Sequence, residues 1–470
     1  MNNSNYSKSI PVIQIAISAV IFLTSSLVEA QDSKISMKVS FDTSSIEAIV
    51  NDPANILKTE EEFWETDSAY QLSAAWHDGA SVARTEEMME VWRGELRTLT
   101  RMPLSERQNL PYYRLALDVN SKQEMFKEIA VPHLLSFLPN LHIIKIDTTV
   151  FFTAFTHAYA FSTNGQMVIN QSSSFWGNDL NKVLNLLTHE LFHVGHGSSL
   201  GYAKEDPLED SLKNEFLMTL HAEGIATYVG YTINDVFPSI IEDHVMMNDP
   251  HTVNEKIADV NAIFEQAETT QTDKLRKLSW DVGVGERAYY VTGGHMARTI
   301  DQNLGRPALV STIENGPLSF IDTYNELVPK QEQIIRFAGP NKNSSILRLK
   351  KAALSGDDSA IDEIKLEMAT KNAGKEKQLA ASLNSLGYKI YYAFENPQAA
   401  IKVLTIGSEF DPNAAYILDS IGEIYLLEKD YVSSEKFCRK ALELDPHLAS
   451  SINMFKITAE MRKNNKRSLP

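Results

Sequence analysis

His189-Glu190-Leu191-Phe192-His193 lies inside a stretch where Leu180, Val183, Leu184, Leu187, Leu191 and Val194 recur at helical spacing. That periodicity requires a helix packed against a core, with Asn178 or Asp179 as its N-cap and Gly195 or Gly197 as its stop. Four residues apart, the two histidines stand one above the other on a single face. Both imidazoles can then reach one Zn²⁺, while Glu190 points to an adjacent water. A buried histidine pair beside a glutamate is not ordinary core material, and metal binding accounts for it.

Zinc chemistry needs a third protein ligand and an open fourth position. Three candidates follow in the chain: His196, Glu215 and Glu223. His196 falls where the metzincin pattern H-E-x-x-H-x-x-G-x-x-H requires glycine, and Ser199 stands where it requires the third histidine, which disfavours that class. Residues Asp206 to Ile233 read as a second helix, with Asp206 as N-cap, Pro207 at the first position, and Leu208, Leu212, Phe216 and Leu220 along one face. Glu223 lies one turn beyond Leu220, near the packed side, where a carboxylate is costly unless paired or bound to metal.

Glu223-Gly224-Ile225-Ala226-Thr227-Tyr228 resembles the E-G-x-A block that carries the glutamate ligand of gluzincin metallopeptidases, especially the alanyl-type aminopeptidases. The resemblance implies a zinc set of His189, His193 and Glu223. Tyr290-Val291-Thr292-Gly293 opens a further helical pattern that closes at Leu304-Gly305, and it resembles the Y-x-x-G helix start that carries the transition-state tyrosine in those enzymes. The chain departs from the aminopeptidase pattern in lacking a G-x-M-E-N block, in having Thr292 where lysine is usual, and in a longer interval from His193 to Glu223. That interval keeps Glu215 open as a rival ligand. The order of motifs is also similar to bacterial zinc-dependent peptidases that are functionally uncharacterised. The fold implied is mainly helical α+β, a gluzincin-like domain with a small sheet.

The expected chemistry follows from the charges. Zn²⁺ held by two imidazoles and one carboxylate lowers the pKa of its water towards ~7, and Glu190 accepts the proton and passes it to the leaving amine. By the resemblance, the Tyr290 hydroxyl stabilises the oxyanion, with Tyr289 and His295 as alternatives. Gly165 to Asn170 reads as a short strand just before the zinc helix, and as an edge strand it would hold an extended peptide by backbone pairing.

A net charge of −17 argues against nucleic acid or an anionic lipid surface as partner. Residues 1–30 read as a secretory signal: Lys8 is the positive start, Ile10 to Leu27 the apolar run, and Val28-Glu29-Ala30 the cleavage site. Its removal takes away one lysine and one glutamate and leaves the balance unchanged. Beyond it no apolar run is long enough to span a membrane. A single cysteine, Cys438, excludes an intrachain disulfide framework, so the folded chain relies on core burial. A secreted or periplasmic bacterial protein is expected.

The chain is expected to divide into a helical N-terminal region at 31–140, broken at Pro103, Pro111, Pro132 and Pro139 and packing on the catalytic part, then a zinc peptidase domain at 141–338, a turn-rich linker at 339–345 and a helical tail at 346–470. In the tail, Asp411-Pro412 and Asp445-Pro446 are 34 apart, as are Tyr391 and Tyr425, Ala400 and Ser434, Leu404 and Cys438, and Phe410 and Leu444. This resembles tetratricopeptide repeats, which imply a protein partner or peptide held in a groove. The leading expectation is a secreted or periplasmic zinc peptidase acting on peptides or proteins. The alternative is a zinc-containing scaffold that works through its repeats, for which Glu190 would have no use. A carboxylate-bridged di-iron protein is set aside, because no second E-x-x-H occurs in the chain.

Overall fold

The structure, a computed structural model, describes residues 35–76, 86–139, 144–156, 159–163, 166–200, 211–269, 273–339, 344–446, 448, 450–451 and 454–458. It is mainly helical with one small sheet, the α+β class that the motifs imply. Strand β1 (Ile35–Asp42) is followed by eight helices, from α1 (Ser44–Asn51) to α8 (Gln123–Leu135), among the described residues. Pro111 opens a helix at its first position, where its missing N–H costs nothing. Pro132, expected as a breaker, instead sits inside the last turns of α8. The carbonyl deprived of its partner there is that of Glu128. Both residues are exposed, so water can serve the orphan group.

The sheet continues with β2 (Ile144–Thr153), β3 (Ala160–Thr163) and β4 (Gln166–Asn170), in spatial order β1-β2-β4-β3. β1 and β4 both run parallel to β2, whereas β3 pairs antiparallel with β4. The strand expected at the edge, Gly165 to Asn170, is therefore internal where it is described. The edges among the described residues are β1 and β3, because β3 pairs back on β4 while β4 lies against β2. The N-terminal region also supplies a strand to this sheet, through the pairing of β1 with β2 from Ile35↔Ile144 to Asp42↔Phe151.

Two long helices follow, α9 (Leu180–Leu200) and α10 (Ser211–Thr232). The Asp179 carboxylate accepts a hydrogen bond from the Lys182 backbone N–H at 3.1 Å, the expected N-cap. Neither Gly195 nor Gly197 ends α9. A Cβ on Gly195 would collide with the Leu138 side chain, so this glycine allows a close approach within the helix. The proposed cap Asp206 and Pro207 lie outside the described residues.

After α10 come α11 (Glu242–Met246), α12 (Pro250–Thr269), α13 (Asp273–Leu278), a π-helical segment at Ser279–Gly285, α14 (Ala288–Leu304), α15 (Arg306–Asn315) and α16 (Pro317–Asn325). One hydrophobic core runs through all of this, from Val39 to Phe337. A second core, from Leu349 to Ile424, belongs to six further helices: α17 (Ser345–Ser355), α18 (Asp358–Lys371), α19 (Glu376–Phe394), α20 (Pro397–Phe410), α21 (Ala415–Leu427) and α22 (Tyr431–Leu444). No helix among the described residues is long and apolar enough to cross a membrane.

Candidate active site

α9 contributes His189, Glu190 and His193, and α10 crosses it bearing Glu223. The His189 and His193 Nε2 atoms lie 3.1 Å apart, and Glu223 Oε2 is 3.2 Å from the His193 nitrogen and 3.4 Å from that of His189. A tetrahedral zinc ion with bonds of about 2.0–2.2 Å holds its donors roughly 3.3–3.6 Å apart, so the observed 3.1–3.4 Å is close to the spacing the ion requires. It is also the only group of three such donors within metal-binding reach among the described residues. Burial opposes a charge on both Glu223 and His193, but mutual attraction wins. The imidazoles of His193 and His189 hold the Glu223 carboxyl well below the usual carboxylate range, and Glu223 and Glu190 raise His193 to about 9. An anion facing two imidazole nitrogens is an arrangement that a divalent cation stabilises.

Neither rival ligand belongs to the donor cluster, although Glu215 lines the same cavity. His196 is turned into the core, its ring 4.9 Å from that of His221 on α10 and stacked on Phe192. Burial pushes both imidazoles down, His221 to about 3. Glu215 is exposed and ion-paired with Arg276 at 3.4 Å, two turns before Glu223 on α10.

Gly224 and Gly293 explain why Glu223 meets Tyr290. A Cβ on Gly224 would overlap the Gly293 backbone, and one on Gly293 would strike the Leu220 carbonyl, so α10 and α14 cross in backbone contact. The glycine following Glu223 and the glycine one turn after Tyr290 therefore serve one purpose. They bring the carboxylate of one helix beside the phenol of the other.

The donors open onto a cavity of about 1260 Å³, lined also by Glu190, Tyr290, Tyr159 and residues 160–162 of β3. Tyr290 lies nearly parallel to the His189 imidazole, at 11° and 6.2 Å between centroids. Burial and the nearby Glu223 push its phenol well above the usual range, opposed by Arg287, so it is a neutral donor. Tyr289 lines the same cavity, but its hydroxyl is bonded to that of Ser279 at 2.7 Å. His295 is bonded by Arg298 at 3.4 Å and packs edge-on against Tyr324, and it is not among the lining residues. Of the three candidates for the electrophile, Tyr290 is the one facing the clustered donors with its hydroxyl unengaged among the described residues.

Three residues at the site went unnoticed in the sequence. Tyr159, just before β3, stacks on Phe175 at 4.2 Å and lines the cavity. Arg287, immediately before α14, makes a bidentate pair with Asp243 of α11 at 2.8 and 2.6 Å. Arg287 is one turn from Tyr290, which was a usable signal. Asp243 and Tyr159 are distant in sequence and carry no local pattern.

The family model described as "Putative zinc dependent peptidase (DUF5700)" matches residues 84–333, more than half of the chain. The chain belongs to this family. The match contains all three clustered donors, Glu190 and Tyr290, and zinc is the metal that both the family and the donor set define. No curated protein and no solved structure matches the chain.

Proposed function

We propose that the chain is a zinc peptidase of gluzincin type, hydrolysing peptide bonds with His189, His193 and Glu223 as the metal ligands. The carrying observation is that their three donor atoms converge at zinc spacing on the wall of the cavity that also holds Glu190. A zinc ion supplies Lewis acidity towards a carbonyl oxygen and makes water more acidic. Glu190 takes the proton released as water attacks the scissile carbonyl and hands it to the departing amine. Tyr290, held as the neutral phenol, donates a hydrogen bond to the developing oxyanion. Among the described residues β3 ends the sheet and borders the cavity, which supports an extended peptide bound alongside it.

The tail supports a repeat reading. α20 and α22 are both 14 residues long and begin at Pro397 and Tyr431, the 34-residue spacing seen in the sequence. Tetratricopeptide-like helix pairs suit a protein partner, while the N-terminal segment supports export to a secreted or periplasmic location. A purely scaffolding role would leave Glu190 at the cavity unexplained. Stripping the purified protein with a chelator should abolish peptide hydrolysis, and one equivalent of Zn²⁺ should restore it. Hydrolysis that survives metal removal contradicts the proposal.

A further inference from the structure

Arg287 has an uncommon place in the backbone. It stands between the π-helical segment and α14 with φ of 66°, a left-handed conformation that is unfavourable for a residue other than glycine. Its side chain is committed as well. Nε donates to Asp243 Oδ1 at 2.8 Å and Nη2 to Oδ2 at 2.6 Å, a fork that locks the guanidinium plane. Only about a quarter of the arginine side chain and a tenth of the aspartate are exposed, at 23% and 9%. Largely buried ion pairs are weak stabilisers, because desolvation offsets attraction, so stability alone is a poor reason for this one.

The locked plane is centred 3.2 Å from the middle of the Tyr290 ring. No hydrogen bond holds the Tyr290 hydroxyl among the described residues, so packing around the ring, the Arg287 plane included, sets the direction of that phenol. Resting on the reading of Tyr290 as the oxyanion donor, we infer that Arg287, clamped by Asp243, is a positioning residue that fixes the Tyr290 ring so its hydroxyl meets the oxyanion. A flat, anchored cation suits that task. Lysine keeps the charge but loses both the fork to Asp243 and the flat contact with the ring.

The test is a double-mutant cycle on full-length, zinc-loaded protein. Arg287→Lys and Asp243→Asn are each made alone and together with Tyr290→Phe, reading kcat, KM, zinc content and melting temperature. Each single variant should keep its zinc, lose at least about tenfold in kcat, and change KM by less than about twofold. In the Tyr290→Phe background neither should cost anything further, because the group they position is gone. Tyr290→Phe with unchanged kcat removes the electrophile reading and the clamp with it. A kcat loss in Tyr290→Phe, with Arg287→Lys and Asp243→Asn near wild type, sinks the clamp alone. Losses that add fully to Tyr290→Phe, or zinc release and unfolding in both variants, make the pair structural and also overturn the inference.

Discussion

Glu223 and Glu215 sit on one helix, and their surroundings separate them. Glu223 faces two imidazoles, whereas Glu215 is exposed beside Arg276, where an ion pair contributes ~0–1 kcal/mol. Glu223→Ala should therefore lower zinc affinity by at least about 10²-fold, since it removes a proposed direct ligand and even indirect partners are worth about 10–100-fold. Glu215→Ala should leave it near wild type. Competition with a chromophoric chelator measures both, and the reverse order would place the third ligand on the wrong turn. Tyr290→Phe should retain its zinc and lose on the order of 10²-fold in kcat with little change in KM. Steady-state kinetics checks this, and a rise in KM alone would assign Tyr290 to substrate binding.

Among the elements, the α10–α14 crossing is the joint that assembles the site. Gly293→Ala must push backbone apart, and overpacking of this kind typically costs about 1–3 kcal/mol. Gly197→Ala is the matched control, because a Cβ there meets nothing within 4 Å and helical Ala is favoured over Gly by about 0.5–1 kcal/mol. Thermal unfolding should show Gly293→Ala clearly destabilised and Gly197→Ala unchanged or slightly stabilised. Equal melting temperatures would show that the crossing is looser than described. These elements also show what could be read in advance. The zinc helix was legible because its periodicity and its N-cap are local properties. Its end was misplaced, since Gly195 signals a stop in sequence but a packing contact with Leu138 in space. The edge strand was misplaced for a similar reason: nothing in Met167-Val168-Ile169 says which strands flank it. Asp243 reaches the site only through tertiary folding.

Across the whole molecule, the two hydrophobic cores fall on either side of residues 339–345. We expect a chain ending near Ser344 to remain soluble, keep its zinc and cleave short peptides, because each core is built from its own segment. Insolubility or metal loss in the truncated chain would join the tail to the catalytic core. The proposed chemistry depends on Glu190, which lines the cavity but is not in the donor cluster. The direct measurement compares full-length protein with Glu190→Gln at equal, verified zinc content, mapping by mass spectrometry the peptides each releases from a protein mixture. New cleavage products should appear with wild type and fall by ~10²-fold or more in rate with Glu190→Gln. Equal cleavage by the two proteins would contradict the assignment of the chemistry to this site.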